Sequence, residues 1–567
     1  MSVRSRLYTY GAGSWCGTPL GPLVVEARTQ RAGVVSEAGF TPLLDTSGDD
    51  GTRLGDLATV PGTTWAVAVR EDHDAPGAKR CLVALDAATG SVAELAATDG
   101  FLAEPAVSQD ASRLAWLTWP ARSMPWDAAE LWVAALVFHA GRPALAAQRR
   151  VDGGRGTSVG QAVWLADGSL AYVGEAAGFW QPWACDEGGV VRRLCARRAE
   201  FQRPRWTACR WLAALDGAAL ACAFVQHGRE HVGVLRDGDL EVLDQPCVRI
   251  DGLAAHGKLL AWVGATPDAQ GGVFMASRLA ASPGAGAASP LVALVERAVP
   301  VVVPPVAEHF TFEHEGVRLE GAYWAPKRRV FGTTAPPLVL TVHPGPTGAI
   351  DTSYAPLTHL LSEAGFAVAS IDFSGSTGHG RVHRERLLGR FGDLDVRECV
   401  AAVRHLVATD RAAHDATFIR GTSSGGTAAL LALCEGAVRG AVAWYPASSF
   451  DDEADGFEAG YLDALVGSAE ARAARSPLAR APAMRGSVLV IQGAEDPVVG
   501  IDETRTLIAA LRASLEDVGY VEVPGEGHGF RTAAGRTVAL EAELAFYQRL
   551  TLPGRGAPDR YDAGTAT

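Results

Sequence analysis

A serine flanked by glycines is the part of this sequence with the clearest chemical potential. Ser423 lies in the pattern G-T-S-S-G-G of residues 421–426, which contains G-x-S-x-G and a second glycine. An apolar run, 416–419, comes before it, and a run of good helix formers, 427–433, comes after it. A strand, a glycine-flanked turn and a helix in this order are typical of a nucleophile elbow, which lifts the serine oxygen out of a sheet. The pattern predicts that Ser423 is a nucleophile for acyl transfer, with a turn of small residues as the alternative.

A serine hydroxyl needs a base to take its proton and a carboxylate to orient that base. Asp496 follows a buried strand-like run, 487–491, and His528 lies in a glycine-rich loop after the next such run, 520–523. The order Ser, Asp, His, with each residue just past a strand end, is that of an α/β-hydrolase. The sequence therefore predicts a catalytic triad of Ser423, Asp496 and His528.

Each partner has an alternative explanation when it is taken alone. An aspartate in a surface turn and a histidine in a loop are common, and Glu495 and Glu526 compete with Asp496 for the role of the acid. Three matches in the right order favour the triad over these alternatives.

Acyl transfer also needs an oxyanion hole, which is a pair of N–H donors aimed at the developing negative charge. One predicted donor is the backbone N–H of Ser424. The other is expected from the loop 343–348, which follows a strand-like run at 337–342. The two prolines of this loop have no N–H, so His343 or Gly345 remains, and Gly345 is favoured.

Residues after the next strand are candidates for a substrate pocket. Trp444 and Tyr445 follow the apolar run 440–444 and are predicted either to wall an apolar pocket or to lie in the core. Glu458 is a candidate partner for a substrate ammonium group, and a solvated acid next to the acidic run 451–455 is the alternative.

Histidines near a glutamate raise the question of a metal. His379, His383 and Glu385 lie close together, but their spacing in a loop is not a convincing ligand set. We expect solvated side chains there, no metal and no cofactor.

Composition narrows the function classes. The formal net charge of −13, without a basic cluster, argues against nucleic acid as a partner. The nine cysteines form no C-x-x-C pair, which favours a reducing cytoplasm over a disulfide framework. No secretory leader or membrane-spanning run is recognised, so we expect no membrane association. A homo-oligomer is compatible with the sequence.

Residues 1–295 show short strand-like runs and few helices. A turn followed by an alternating strand recurs at intervals of about 40 to 60 residues, as expected for four-stranded propeller blades. A hairpin at 85–92 has the form that closes a blade. The region is predicted to be a β-propeller lid domain, with a β-sandwich as the alternative. The four recurrences begin at Asp110, Asp167, Asp216 and His256.

Residues 296–336 are predicted to form a proline-rich linker and an entry hairpin. Strands and helices alternate over 337–552, which predicts an α/β-hydrolase domain with a mostly parallel, doubly wound sheet. The residues 553–567 are predicted to be a disordered tail. The expected helices lie near 355–363, 396–408, 502–515 and 538–550.

The sequence resembles the prolyl oligopeptidase family of serine peptidases, and is most similar to its bacterial acylaminoacyl-peptidase and dipeptidyl-aminopeptidase-like members. The similarity is densest from 337 to 550. The matching segments are 343–348 for H-G-G-P-x-G, 375–381 for G-S-T-G-Y-G-R, 391–396 for W-G-x-x-D-V, 421–426 for G-x-S-x-G-G, 493–499 for G-x-x-D-x-x-V and 525–530 for G-E-G-H-G-F.

The resemblance implies a β-propeller over an α/β-hydrolase, and cleavage of short peptides or N-blocked aminoacyl substrates. Three departures accompany it: Pro344 replaces a glycine, residues 370–374 differ from D-x-N-Y-R/G, and the segment 7–15 resembles one that about a further blade normally precedes. These departures favour, as an alternative, an esterase or amidase that acts on a small non-peptide substrate. A propeller scaffold with an inactive hydrolase is a third hypothesis.

Overall fold

The protein folds into two compact units. The computed structural model describes residues 1–8, 10–43, 51–72, 79–206, 210–276, 292–293, 304–328, 335–450 and 456–551. The first unit consists of Met1–Gly264, Gly272–Glu296 and Ala454–Tyr461. The second unit consists of Ala265–Gly271, Arg297–Glu453 and Leu462–Thr567. Residues 296–303 and 329–334 of the predicted linker and hairpin, and the whole predicted tail, 553–567, lie outside the described residues.

The first unit is a β-propeller of six four-stranded antiparallel blades. The first strands of successive blades contact each other from the first blade to the sixth. The strands are β1–β4 (Trp15–Thr18, Gly21–Val25, Ala32–Ser36, Gly39–Pro42), β5–β8 (Thr52–Thr59, Trp65–Asp72, Lys79–Asp86, Val92–Thr98), β9–β12 (Phe101–Val107, Arg113–Trp119, Glu130–His139, Arg142–Gly153), β13–β16 (Val159–Trp164, Leu170–Gly174, Gln181–Cys185, Val191–Arg193), β17–β20 (Leu212–Ala214, Leu220–Gln226, Arg229–Arg236, Asp239–Val242) and β21–β24 (Arg249–His256, Leu259–Thr266, Ala269–Ala276, Val292–Ala293).

The recurring sequence pattern corresponds to one place in each blade. Each recurrence is the turn that leads into a second strand, namely β10, β14, β18 or β22. The predicted blade-closing hairpin joins β7 to β8. The propeller prediction is therefore confirmed, whereas the idea that a blade is missing at the start stays a prediction. One short helix, α1 (Pro125–Ala128), follows β10.

Polar side chains link the first strands of neighbouring blades. Asp56, Glu104 and Gln161 occupy equivalent β-bulges, each with a φ of 51°. Asp56 Oδ2 accepts the N–H of Glu104 at 3.0 Å, and Glu104 Oε2 accepts the N–H of Gln161 at 2.8 Å. The buried guanidinium of Arg205 pairs with both carboxylates. Burial alone would raise the pKa of Asp56, but Arg205 and the N–H groups of Glu104 and Gly13 hold it below its usual value.

A short segment from late in the chain belongs to the propeller unit. The ring of Phe457 stacks at 6.0 Å from Tyr8 and meets Phe101 edge-on at 5.7 Å. Tyr461 meets Trp126 edge-on at 5.6 Å. Large aromatic surfaces in contact supply much of the burial energy of a site, so this segment is held by the propeller's own core.

The second unit contains an eight-stranded sheet in the order β25-β26-β28-β27-β29-β30-β31-β32. Strands β27 to β32 are parallel, whereas β25 and β26 form an antiparallel hairpin that pairs with β28. The sequence placed this hairpin before the hydrolase domain, but it supplies two strands of the same sheet. The strands are β25 (Ala307–His314), β26 (Val317–Trp324), β27 (Leu338–Val342), β28 (Ala367–Asp372), β29 (Thr417–Thr422), β30 (Gly440–Trp444), β31 (Ser487–Gly493) and β32 (Val518–Val523).

Helices connect the parallel strands, as the alternating pattern predicts. The four helices expected from the sequence correspond to α2, α4, α9 and α10. The helices are α2 (Pro356–Glu363), α3 (Arg381–Glu385), α4 (Leu394–Ala408), α5 (Ser424–Ala432), α6 (Tyr461–Val466), α7 (Ala469–Arg475), α8 (Pro477–Arg480), α9 (Ile501–Ser514) and α10 (Ala533–Thr551). Within the described part of the chain, no helix has the length and apolarity needed to cross a membrane.

The strand order fixes where a site can form. The chain moves from β27 to β28 on one side, and then returns past β27 to β29 on the other side. Ligands of such sheets bind beyond the carboxyl ends of the strands at this reversal. The loops after β27 and β29 meet at this point, and they carry the predicted oxyanion loop and the predicted nucleophile.

Candidate active site

Ser423 occupies a strained turn between β29 and α5. Its φ of 53° and ψ of −126° lie outside the regions that residues other than glycine prefer. The Ser423 N–H donates to Trp444 O at 3.0 Å, which ties the turn to the end of β30. A Cβ on Gly421 would come within 2.2 Å of the Gly425 backbone, so glycine is required there. The nucleophile elbow therefore has the geometry that the sequence predicts.

The three predicted triad residues form one hydrogen-bonded relay. Ser423 Oγ donates to His528 Nε2 at 3.1 Å, and His528 Nδ1 donates to Asp496 Oδ2 at 3.0 Å. The Asp496 side chain is fully buried, whereas 14% of the His528 side chain is exposed. This arrangement places the base between a serine hydroxyl and a carboxylate that can balance an imidazolium charge.

The environment of Asp496 fixes the direction of its carboxylate. Oδ1 accepts the N–H groups of Val498 at 2.8 Å and Val499 at 2.9 Å. Gln492 Nε2 donates to Oδ2 at 3.3 Å, and Thr504 in turn donates to Gln492 Oε1 at 3.1 Å. Gln492 and Thr504 could not be predicted from the sequence, because neither residue type stands out within a strand or a helix.

His528 Nδ1 donates to Asp496, and the two competing acids, Glu495 and Glu526, have other surroundings. Glu495 is exposed, and its N–H donates to Glu526 O at 2.9 Å. The buried Glu526 carboxylate accepts the N–H groups of Arg531 at 2.7 Å and Thr532 at 2.9 Å. Burial would raise the pKa of Glu526, but Thr532 and these N–H donors hold it below its usual value. Glu526 thus shapes the loop that carries His528.

The loop after β27 lies directly against the nucleophile elbow. A Cβ on Gly425 would come within 2.4 Å of Val342 O and 2.8 Å of His343 O. Gly345 has a φ of 129°, which favours glycine. The close approach brings the predicted amide donors, Gly345 and Ser424, to the same strand ends, and their role as the oxyanion hole stays a prediction.

A second loop, 372–379, holds this oxyanion loop in place. Ser376 Oγ donates to His343 Nε2 at 2.7 Å, and His343 Nδ1 donates to Pro344 O at 3.0 Å. The Thr377 N–H donates to Gly348 O at 2.7 Å. Burial lowers the pKa of His343, so its ring is neutral and can accept at one nitrogen while it donates at the other.

Asp372 joins the two loops through both of its oxygens. Oδ1 accepts the N–H of Ile350 at 2.8 Å, and Oδ2 accepts a hydrogen bond from His379 Nε2 at 2.9 Å. Burial by itself would raise the pKa of Asp372, but the bond and charge of His379 hold it below its usual value. Asp372 lies in the segment 370–374, where the sequence departs from the family pattern.

His379 and His383 are partly buried and hydrogen-bonded, whereas the sequence predicts solvated side chains there. His379 is bonded to Asp372, and His383 Nε2 donates to Phe373 O at 3.0 Å. Burial, together with the neighbouring His379, lowers the pKa of His383 to about 4. No group of three or more His, Cys, Asp or Glu side chains with the geometry of a metal site occurs among the residues that the structure describes.

Trp444, a predicted pocket residue, makes the contacts of a core residue. Its indole N–H donates to Glu543 Oε2 at 2.7 Å, and its ring lies under the Arg420 guanidinium at 5.5 Å. Arg420 Nε donates to Glu543 Oε1 at 2.8 Å, as does the Tyr547 hydroxyl at the same distance. Of the two interpretations in the sequence analysis, these contacts favour the core.

Tyr445 lies beside the triad, and Glu458 lies in the other unit. The Tyr445 ring is 4.7 Å from the His528 ring and 5.7 Å from the Phe530 ring. Glu458 belongs to the propeller unit, where its carboxylate accepts a hydrogen bond from the Tyr10 hydroxyl. Its predicted role toward a substrate ammonium group stays a prediction.

Comparison with known proteins places this geometry in a family context. Residues 353–552 match the prolyl oligopeptidase family. Dipeptidyl aminopeptidase BIII of Pseudoxanthomonas mexicana is 32% identical over 239 residues, which are 39% of this chain and 34% of that protein. The match therefore spans about a third of the length of this curated relative.

Two solved structures match almost the whole chain. Puromycin hydrolase is 29% identical with a TM-score of 0.88, and the alignment covers 97% of this chain and 88% of that one. A puromycin-hydrolyzing peptidase of Mycobacterium tuberculosis is 28% identical with a TM-score of 0.87, with coverage of 97% and 88%. The chain thus contains a six-bladed propeller and, over residues 353–552, a domain that belongs to the prolyl oligopeptidase family.

Proposed function

We propose that the protein is a serine peptidase that cleaves amide bonds of short peptides or of N-blocked aminoacyl substrates. The observation that carries this proposal is the unbroken relay from Ser423 Oγ through His528 to Asp496, at 3.1 and 3.0 Å. A relay of this kind activates a hydroxyl that is otherwise a poor nucleophile. Its position at the carboxyl edge of the sheet supports the same conclusion.

The proposed chemistry proceeds in two acyl transfers. Ser423 Oγ attacks the carbonyl carbon while its proton passes to His528 Nε2, and the oxyanion accepts N–H bonds from Gly345 and Ser424. His528 then gives that proton to the leaving amine as the C–N bond breaks, which leaves an ester on Ser423. Water attacks the ester, His528 takes its proton, and the proton returns to Ser423 as the acid leaves. Asp496 stays ionised and balances the imidazolium in both steps.

A second candidate substrate class keeps the same residues. The likeness to puromycin hydrolase and to the puromycin-hydrolyzing peptidase supports a small non-peptide substrate for an amidase or esterase. A triad does not select between a peptide and another amide, since it reacts with the carbonyl group alone. Substrate choice therefore has to be measured.

The test is a hydrolysis panel with the parent protein and Ser423→Ala. The panel contains free aminoacyl, N-acyl-aminoacyl and dipeptidyl chromogenic amides, simple esters, and puromycin. We expect amide turnover in the parent, and its loss in Ser423→Ala together with loss of labelling by a fluorophosphonate. Ser514→Ala is the matched control, because Ser514 is exposed on α9 and its hydroxyl donates only to Ala510 O, at 3.2 Å.

Each outcome decides between the hypotheses. Turnover of esters or puromycin alone would replace the peptidase by a small-molecule hydrolase. Equal activity in the parent and in Ser423→Ala would reject the proposed site. No turnover and no labelling in either protein would favour the scaffold hypothesis.

We further propose that the protein acts in the cytoplasm, without nucleic acid or membrane partners, and that it can self-associate. No disulfide joins any two of the eight described cysteines, which supports a reducing compartment. Cell fractionation tests the compartment, and light scattering of the purified protein tests self-association.

A further inference from the structure

The backbone of Tyr445 is tied to both sides of the triad. It directly follows β30, whose last residue, Trp444, accepts the Ser423 N–H at 3.0 Å. The Tyr445 N–H donates to Ile491 O at 2.8 Å, in the strand that leads to Asp496. Tyr445 thus lies between the strand ends that carry the nucleophile and the acid.

Tyr445 holds an unfavourable backbone conformation at this place. Its φ is 40°, outside the regions that a residue with a side chain prefers. Such strain persists only where the surroundings determine it, and it is common at functional sites. A residue that merely filled the core would not need this conformation.

The ring of Tyr445 lies against the catalytic histidine. The two ring centres are 4.7 Å apart, and the planes are tilted by 56°. Tyr445 is buried, with 9% of its surface exposed. The Phe530 ring lies 5.7 Å from the Tyr445 ring, so His528 and Phe530 both contact the Tyr445 ring and fix its position.

During both acyl transfers His528 becomes an imidazolium. An aromatic ring within about 6 Å of a cation attracts it through the negative charge on its face, most strongly where water is excluded. We propose that Tyr445 is a positioning residue that orients the His528 ring and stabilises its cationic form, so that its aromatic character sets kcat. This inference rests on the triad proposed above.

Two other roles for Tyr445 make different predictions. As a pocket wall, the ring would contact substrate, and its loss would change KM and substrate preference. As a core residue, its loss would lower stability and leave the kinetics of the folded fraction unchanged. The positioning role changes kcat and leaves KM unchanged.

The first test compares Tyr445→Phe with Tyr445→Leu. The phenylalanine variant keeps the ring, and we expect its kcat within about threefold of the parent. The leucine variant loses the ring, and we expect kcat about 10- to 30-fold lower, with KM within about twofold. An altered KM at unchanged kcat, or equal losses in the two variants, would overturn the proposal.

The second test keeps the shape of the side chain, so that folding is not at issue. Phenylalanine and its mono-, di- and trifluorinated analogues are placed at position 445, which removes charge from the ring face in steps. We expect kcat to fall with each fluorine at constant KM and constant melting temperature. A flat series would show that the ring acts by shape alone, and would refute the electrostatic part of the proposal.

Failure of this inference is distinguishable from failure of the proposed function. If Ser423→Ala keeps the activity of the parent, the proposed triad is wrong, whatever the variants at position 445 show. If Ser423→Ala is inactive while the fluorinated series is flat and Tyr445→Leu matches the parent, only the role of Tyr445 is refuted.

Discussion

Gly425 lies so close to Val342 that a Cβ on the glycine would come within 2.4 Å of the valine carbonyl oxygen. The contact joins the start of α5 to the end of β27, and so sets the nucleophile elbow against the oxyanion loop. The added atom would have to push two backbone segments apart, because no flexible side chain is there to yield.

Gly425→Ala should therefore separate folding from catalysis. We expect the melting temperature to fall modestly, since overpacking costs about 1 to 3 kcal/mol. We expect kcat to fall by about 100-fold or more, because displaced oxyanion donors lose most of their effect. Gly500→Ala is the control, since Gly500 has ordinary backbone angles and nothing within 4 Å of an added Cβ. Equal kcat values in these two variants would contradict the prediction.

Replacing the orienting acid tests the assignment of Asp496. Asp496→Asn offers an amide N–H where His528 needs an acceptor, so the wrong tautomer is stabilised and we expect kcat to fall by about 10⁴-fold. Glu495→Gln and Glu526→Gln should stay within about tenfold of the parent, because His528 Nδ1 donates to Asp496 in the structure. A larger loss in either glutamine variant than in Asp496→Asn would assign the acid to that glutamate.

Asp372 should affect kcat through the oxyanion loop. Asp372→Ala removes the acceptor of the Ile350 N–H and of His379, which frees two contacts of the loops that surround His343. We expect kcat to fall about 10- to 100-fold at nearly constant KM, as for a small misplacement of a catalytic group. Asp351→Ala provides the comparison, because Asp351 is exposed and directly follows Ile350. A change confined to KM would place Asp372 in substrate binding instead.

Trp444 and Glu543 should determine stability rather than specificity. Trp444→Phe leaves Glu543 Oε2 without its 2.7 Å indole donor, for which we expect a loss of about 1 to 3 kcal/mol. Glu543→Gln leaves the Arg420 guanidinium buried without its counter-charge, for which we expect about 3 to 5 kcal/mol. Thermal melting measures both losses. A change of substrate preference in Trp444→Phe would restore Trp444 to the pocket.

The buried carboxyl group of Asp395 should make the stability of the folded protein depend on pH. It is buried at the start of α4, and burial raises its pKa to about 7, which the N–H of Gly392 only partly offsets. The unfolded carboxyl has a pKa of about 3.9, so the unfolded chain loses its proton first and stability declines as the pH rises from about 4 to 7. The total effect is at most about 4 kcal/mol.

Asp395→Asn removes this titration. The stability of the variant relative to that of the parent should therefore increase as the pH rises. The measurement is the urea midpoint of both proteins at pH 5 and pH 8. Burial also raises the pKa of the neighbouring Glu398, whose charge adds to the rise at Asp395. A difference between them that is the same at both pH values would contradict the assignment to Asp395.

The part of the site that could be predicted from sequence is the part that lies directly after strands. Ser423, Asp496 and His528 each follow an apolar run that marks a strand, and parallel strands end at one edge, so order along the chain implies proximity. The propeller was predictable for a similar reason, since each blade repeats one turn and one alternating strand. Local pattern and tertiary position agree at all of these places.

What could not be predicted depends on pairs of residues that no local pattern relates. Trp444 has the same neighbours in sequence whether it walls a pocket or lies in the core, and only Glu543 on a distant helix decides. The bond from the Ile350 N–H to Asp372 joins two loops that lie 22 residues apart in the sequence. The hairpin of β25 and β26 could not be assigned to the hydrolase sheet, because its partner β28 is antiparallel to it and later in the chain.

The aromatic segment around Phe457 and Tyr461 bears on how such genes can be recombined. Cutting the gene at residue 296 does not separate the two units cleanly. Residues 454–461 are encoded after this point, but they belong to the propeller unit. If only residues 1–296 were replaced by those of another protein, the new propeller would have to pack its aromatic side chains against Phe457 and Tyr461 of the original chain. We therefore expect chimaeras to fold only when residues 454–461 are inherited together with the propeller.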